Sequence, residues 1–242
     1  MKINYIFLIL ALLAEIIGTI GGFGSSVFFV PLGNFYFDFY SVLGLTAIFH
    51  LSSNLSKILL FKKGLNRFLL LYIGVPSVLF VVIGGVISRF LNGILLEFAL
   101  GIFLIILSAF FLVKKKVIVQ PNKQNSIIGG TISGFTAGLL GTGGAVRGIT
   151  MAAFNLEKSV FIATSAFIDF MIDFTRTFVY YQNGYIHQHD LVYVPFLIVI
   201  GVVGTYIGRQ ILHYIPQENF KRLALSFILI IGMITVIKLI VI

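Results

Sequence analysis

The chain has 242 residues, 59 % of them hydrophobic and 10 % charged, with a mean hydropathy of +1.08. That composition excludes a soluble globular domain and places the chain in a bilayer. The absence of cysteine excludes disulfides, thiolate metal sites and cysteine nucleophiles. The net charge of +9 sits mostly in short loops, which reads as a membrane orientation signal and not as a nucleic-acid footprint.

In chain order, apolar segments fall at 3–20, 41–61, 67–88, 94–113, 127–140, 158–181, 191–212 and 220–242. Most approach the ~20 residues that cross a bilayer, and strand alternation is absent, so helical spans are expected and not a barrel. Met1-Lys2 followed by Ile3 to Ala14 imitates a signal peptide. Glu15 and a glycine motif follow directly, so a retained first segment is expected. The motif runs Gly18-Thr19-Ile20-Gly21-Gly22-Phe23-Gly24-Ser25-Ser26, with Pro31 close behind. Glycine admits backbone shapes that other residues avoid and proline removes a donor, so the entering helix should break here. A break at membrane depth is tolerated only where the backbone is buried in protein or lines a polar cavity. Read alone, the motif is a packing notch between helices or half of a binding site.

A second copy favours the site. Gly138, Gly141 and Gly144 repeat Gly18, Gly21 and Gly24 at an offset of 120, and short returns follow both motifs at 25–32 and 145–154. Gly64, Gly84 and Arg89 recur at the same offset as Gly184, Gly204 and Arg209, and Lys57 recurs 119 residues on as Arg176. Paired interruptions in two halves of a membrane protein point to a transporter's site. The expected division is a first transmembrane repeat at 1–113, a cytoplasmic linker at 114–126 and a second repeat at 127–242.

Positive charge decides between parallel and inverted repeats. Lys57, Arg147 and Arg176 fall inside apolar segments, leaving fourteen of the 17 Lys and Arg. If every segment crosses fully, the sides divide nine to five. If each glycine motif is the tip of a hairpin returning to its own side, Lys2, Arg89 and Lys238 stand against the other eleven. The sharper segregation predicts an all-α polytopic membrane protein of two inverted repeats. Each is a re-entrant or broken hairpin plus three transmembrane helices, with both termini outside.

Ionisable residues inside spans are costly and are functional candidates by default. Thr46, His50, Asn54 and Lys57 line one face of a helix, with Ser53 beside them, and Ser165, Asp169, Asp173 and Arg176 repeat that spacing 119 residues later. The bland alternative is an internal ion-pair network, with Asp173 on Arg176 and Lys57 on Asp169 or Asp173. Lys57 and Arg176 could also reach a surface from span ends. Arg147, three residues past Gly144, can bind an oxyanion through paired N–H groups, or neutralise an acid in a span. Glu15 is a proton-carrier candidate or a buried partner of Arg147. His187 and His189 share a polar loop with Asp190, weak evidence for a metal and read as solvated.

With these motifs in view, the chain resembles the TauE/SafE family, the sulfite and organosulfonate exporter group. The resemblance covers essentially the whole chain. It rests on Gly21-Gly22-Phe23-Gly24 with Pro31, on Thr46-Ala47-Ile48-Phe49-His50-Leu51-Ser52-Ser53-Asn54, and on the repeat from Gly138 to Gly144. Met151 stands where the second repeat would place its proline, so a differently shaped second hairpin is expected. The resemblance implies movement of small sulfur-containing anions across the bacterial inner membrane.

The residues agree in kind, because broken-helix N-termini offer free N–H groups and a positive dipole end. Substrate-binding candidates are Gly21, Gly22, Gly24, Ser25, Ser26, Asn54, Lys57, Gly141, Thr142, Gly144, Arg147 and Arg176; proton-coupling candidates are Glu15, His50, Asp169 and Asp173. The expected partners are a small anion and the bilayer, with no nucleic acid, cofactor or metal. An intramembrane enzyme using Asp169, Asp173 and His50, or a passive anion channel, are the alternatives. No nucleophile elbow or HExxH spacing supports the enzyme.

Overall fold

The computed structural model describes residues 3–21, 24–61, 64–113, 119–212, 214 and 217–241. Among these residues it is all-helical, a polytopic membrane protein of ten helices: α1 (Tyr5–Gly21), α2 (Ser26–Gly33), α3 (Phe39–Leu60), α4 (Arg67–Ser88), α5 (Gly93–Val113), α6 (Lys123–Leu140), α7 (Gly144–Ala152), α8 (Lys158–Gln182), α9 (Gln188–Ile211) and α10 (Gln217–Val241). Helices α3, α4, α5 and α9 are long and apolar enough to cross a membrane.

Local chemistry accounts for the boundaries. Asp38 caps α3 by accepting from the Tyr40 and Ser41 N–H groups, Asn66 caps α4 through Leu69 N–H, and Asn122 caps α6 through Asn125 N–H. That last cap starts α6 at Lys123, four residues ahead of the expected second-repeat boundary at 127. Residues 114–118 of the expected linker lie outside the described residues. Helix α6 stops at Gly141, whose φ of +77° is left-handed, and α7 starts three residues beyond it, at Gly144. At the first break the left-handed position among the described residues is Gly24, φ +81°, ahead of α2. Pro31 lies inside α2, with no break there.

The packing exchanges elements between the halves. Helix α1 lies on α9 and α6 on α4, while α3 packs on α8 and α5 on α10. Glycines set the close approaches: a Cβ on Gly130 would stand 2.9 Å from Ile73 Cα, and one on Gly134 2.6 Å from Ser77 Cα. Likewise a Cβ on Gly204 would stand 2.9 Å from Glu15 Cβ, and Gly208 meets Thr19. Contact numbers therefore rise together along α4/α6 and α1/α9, so these pairs run parallel. The matched helices run antiparallel. Gly44 near the start of α3 meets Tyr185 just past α8, while Asn66 just past α3 donates to Thr164 near the start of α8. Glu97 early in α5 pairs with Lys238 late in α10.

Burial sorts the spans. The most apolar stretch of α3 is 67 % buried against 33 % for α4 and α9, so α3 is central and the other two turn one side to lipid. Phe7, Phe29, Leu43 and Phe49 form the apolar core around it.

Candidate functional site

The break between α1 and α2 and the break between α6 and α7 come together. A Cβ on Gly24 would lie 3.9 Å from Gly144 Cα, and these two glycines are 120 residues apart. Ser26 Oγ donates to Thr142 Oγ1 across the same junction at 3.2 Å. Two short helices thus begin side by side, presenting the unpaired N–H groups and positive dipole ends of their first turns. Gly22 lies outside the described residues, and Gly21 ends α1 half-buried.

Around this junction stand the two polar stripes, on α3 and α8. They touch at equivalent positions: Asn54 Nδ2 donates to Asp173 Oδ2 at 2.7 Å, across a separation of 119 residues. Asp173 also pairs with Arg176 at 2.7 Å, the partner that their i, i+3 spacing allows. Arg176 extends further, donating through Nη1 to the carbonyls of Ala137 and Gly141 at 3.2 and 2.8 Å. A cation there satisfies orphan carbonyls at the end of α6. Tyr180, which the sequence did not single out, donates to Ala137 and Gly138 carbonyls beside it.

Lys57 departs from the partners weighed from sequence, while Arg147 neutralises an acid in a span, as weighed, though not Glu15. Lys57 Nζ lies 2.8 Å from Glu15 Oε1, not beside Asp169 or Asp173. Arg147 pairs with Asp169, not with Glu15, and its Nε donates to Ser165 at 3.3 Å. The cause is packing. Helix α1, packed on α9, brings Glu15 to Lys57, while α7 lays Arg147 against α8. Asp169 is the partly exposed member, with its side chain 23 % accessible, whereas Arg147 and Arg176 are about 1 % exposed. Arg147 Nη1 and Arg176 Nε are buried N–H donors without a protein acceptor.

Glu15 is the hub of the first half. Its Oε1 accepts from Thr19 and Thr205, and its Oε2 accepts from Ser25 Oγ at 2.5 Å. Thr205, from α9, was invisible in the sequence, since a lone threonine in an apolar segment carries no signal. Ser25 Oγ also lies 3.0 Å from His50 Nε2, and His50 Nδ1 lies 4.0 Å from Asp173 Oδ2. The Ser25 proton is committed to Glu15, so the hydroxyl accepts from His50 Nε2–H; this tautomer follows from the network. Ser25, His50 and Asp173 have the order of a nucleophilic triad, but the serine proton points away from the imidazole that would have to accept it. Thr46 donates to its own helix, to Val42 O, and takes no part.

The buried centre therefore holds three acids, Glu15, Asp169 and Asp173, against three cations, Lys57, Arg147 and Arg176, with His50 between. Two lateral cavities of about 430 and 270 Å³ are apolar and are lined by residues outside this centre.

Comparison with known proteins matches this arrangement to a family. The family described as sulfite exporter TauE/SafE matches residues 7–235. A probable membrane transporter protein of Methanocaldococcus jannaschii is 24 % identical over 253 residues, covering 93 % of this chain and 92 % of that protein. No solved structure matches the chain. The family match runs from α1 into α10 and encloses both helix breaks and both polar stripes, so the chain belongs to the sulfite exporter TauE/SafE family of membrane transporters and is not an enzyme.

Proposed function

We propose that the protein is a secondary transporter that moves a small anion, a sulfur oxyanion or organosulfonate, across a bacterial inner membrane by alternating access, coupled to protons. The observation that carries this reading is the meeting of the two helix breaks at Gly24 and Gly144, flanked by stripes that touch at Asn54 and Asp173. Equivalent positions touch each other only near a two-fold axis. The antiparallel course of α3 against α8 and of α5 against α10 puts that axis across the helices, the arrangement of inverted repeats. Helices α2 and α7 then serve as the return arms of two re-entrant hairpins. The eleven-to-three charge division sets both termini outside.

Charge balance explains the coupling. With three acids against three cations the centre is neutral and has no call for an anion. A proton arriving at His50 Nδ1 lets Nε2–H pass to Ser25 Oγ as the serine's own proton passes to Glu15 Oε2. Glu15 becomes neutral and Lys57 loses its counter-charge. The centre then carries one net positive charge beside two helix N-termini and the free N–H groups of Arg147 and Arg176, and a monovalent anion restores neutrality. Desolvating an uncompensated charge is expensive, so proton and anion enter together or not at all.

The test is flux from proteoliposomes loaded in turn with sulfite, thiosulfate, an alkyl sulfonate, sulfate and chloride. Saturable movement of one sulfur anion, chemically unchanged and above empty liposomes, supports the reading. Equal conductance for all five, insensitive to a proton gradient, favours a passive channel.

A further inference from the structure

At the outer end of the molecule in the proposed orientation, the α8–α9 connection folds against the start of α3. His187, His189 and Asp190 converge there, with one ligand atom from each lying within 4.8 Å of the others. His187 Nδ1 is 3.5 Å from Asp190 Oδ2, and His189 Nε2 is 3.2 Å from Asp190 Oδ1. The two imidazoles are stacked at 5.3 Å with an interplanar angle of 8°. Asp190 is 2 % exposed, and neither of its carboxylate oxygens accepts a hydrogen bond. A buried carboxylate without donors is costly unless a cation compensates it. Polar groups that reach it are two imidazole nitrogens, both ligands of transition metals when neutral.

We propose that His187, His189 and Asp190 form a binding site for a borderline divalent transition cation of the zinc class. Two ligands at ~2.0–2.1 Å from zinc, set at a tetrahedral angle, stand about 3.3–3.4 Å apart. The observed 3.5 and 3.2 Å lie close to that spacing, each to its own oxygen of Asp190, so an ion held by one oxygen draws the second histidine inward. The side chain of His189 is 62 % exposed and that of His187 36 %, so an ion enters from solvent and a water completes the shell. His187 reaches back into the fold. Its Nδ1 lies 2.7 Å from Ser41 Oγ, which in turn donates to Asp38 Oδ2 at 2.6 Å. Ligation at Nδ1 displaces Ser41: the ring proton moves to Nε2, and the Ser41 hydroxyl stays on Asp38. The site lies beside the first turn of α3, the helix that carries His50, Asn54 and Lys57.

The site is tested on full-length protein purified without a histidine tag, by titrating Co²⁺ and following its visible d–d absorption, then displacing it with Zn²⁺. One saturable equivalent with a tetrahedral spectrum is expected. His187→Gln/His189→Gln should abolish it, and Asp190→Asn should weaken it. His213→Gln should leave it unchanged. Asp190→Asn removes a buried charge, so its folded yield is followed in parallel, while the double histidine change at two accessible side chains keeps the test decisive. No saturable wild-type binding, or the same affinity in the double variant, overturns the proposal.

Discussion

The two halves of the centre carry the same geometry with different charges, and each half neutralises its own. In the first half Lys57 on α3 is matched by Glu15 on α1. In the second, Arg147 on α7 is matched by Asp169 and Arg176 by Asp173, both on α8. What crosses between the halves at the centre is weaker. Asn54 reaches Asp173, Ser26 reaches Thr142, Thr205 reaches Glu15, and His50 stands 4.0 Å from Asp173. Strong, desolvated ion pairs hold together within a half, while hydrogen bonds from neutral donors exchange more easily. A molecule built this way can move one half against the other without breaking a buried ion pair at its centre.

Removing one partner of an internal pair should have the largest effect. Lys57→Met leaves Glu15 as a buried carboxylate and is expected to cost about 3–5 kcal/mol, with Glu15→Gln/Lys57→Met recovering most of it. Denaturation in detergent measures both. A double variant no better than the single would show that the pair is not an isolated unit.

The helix breaks come next, and they should differ. An alanine Cβ at Gly141 would stand 2.6 Å from Leu43 Cδ2 at a left-handed φ, whereas at Gly24 the nearest neighbour of a Cβ among the described residues, Ser26 Oγ, is 3.8 Å away. Gly141→Ala is expected to cost about 2–4 kcal/mol from strain and overlap together, and Gly24→Ala about 1–2 kcal/mol from strain alone. Equal losses would mean that the second break is no tighter than the first.

Contacts between the halves should matter least to stability. Asn54→Ala, which removes a neutral donor from a charged acceptor, should cost about 1.5–3 kcal/mol, and Ser26→Ala about 0.5–1.5 kcal/mol. Losses above that of Lys57→Met would invert the comparison, making the junction between halves the rigid part.

The proposed duplication is read from glycine spacing and from polar residues at i, i+3 and i+4, which sequence alone displays. Gly64 and Gly184, matched at an offset of 120, both adopt positive φ. The partners of the buried charges were less legible. Only Asp173 and Arg176 lie within a helical turn of each other. Arg147 finds Asp169 and Lys57 finds Glu15 through helix packing, which local spacing does not encode. The left-handed turn also escaped simple duplication. It falls at Gly141 in one half and at Gly24, not the matched Gly21, in the other. In a run of glycines the sequence permits several break points, and packing chooses among them. Thr205 and Tyr180 were missed for the opposite reason: each is a single polar group in an apolar segment, conspicuous only once Glu15 and the end of α6 are seen beside it.

The central claim is that anion and proton move together through His50. The direct measurement is simultaneous recording of internal pH and the flux of an alkyl sulfonate, a monovalent anion, in proteoliposomes, for wild type and His50→Gln at matched folded yield. The account predicts that an imposed anion gradient moves protons in the same direction in wild type, in proportion to the anion, and that His50→Gln loses both movements. Anion flux in wild type without proton movement, or coupled movement undiminished in His50→Gln, would contradict it.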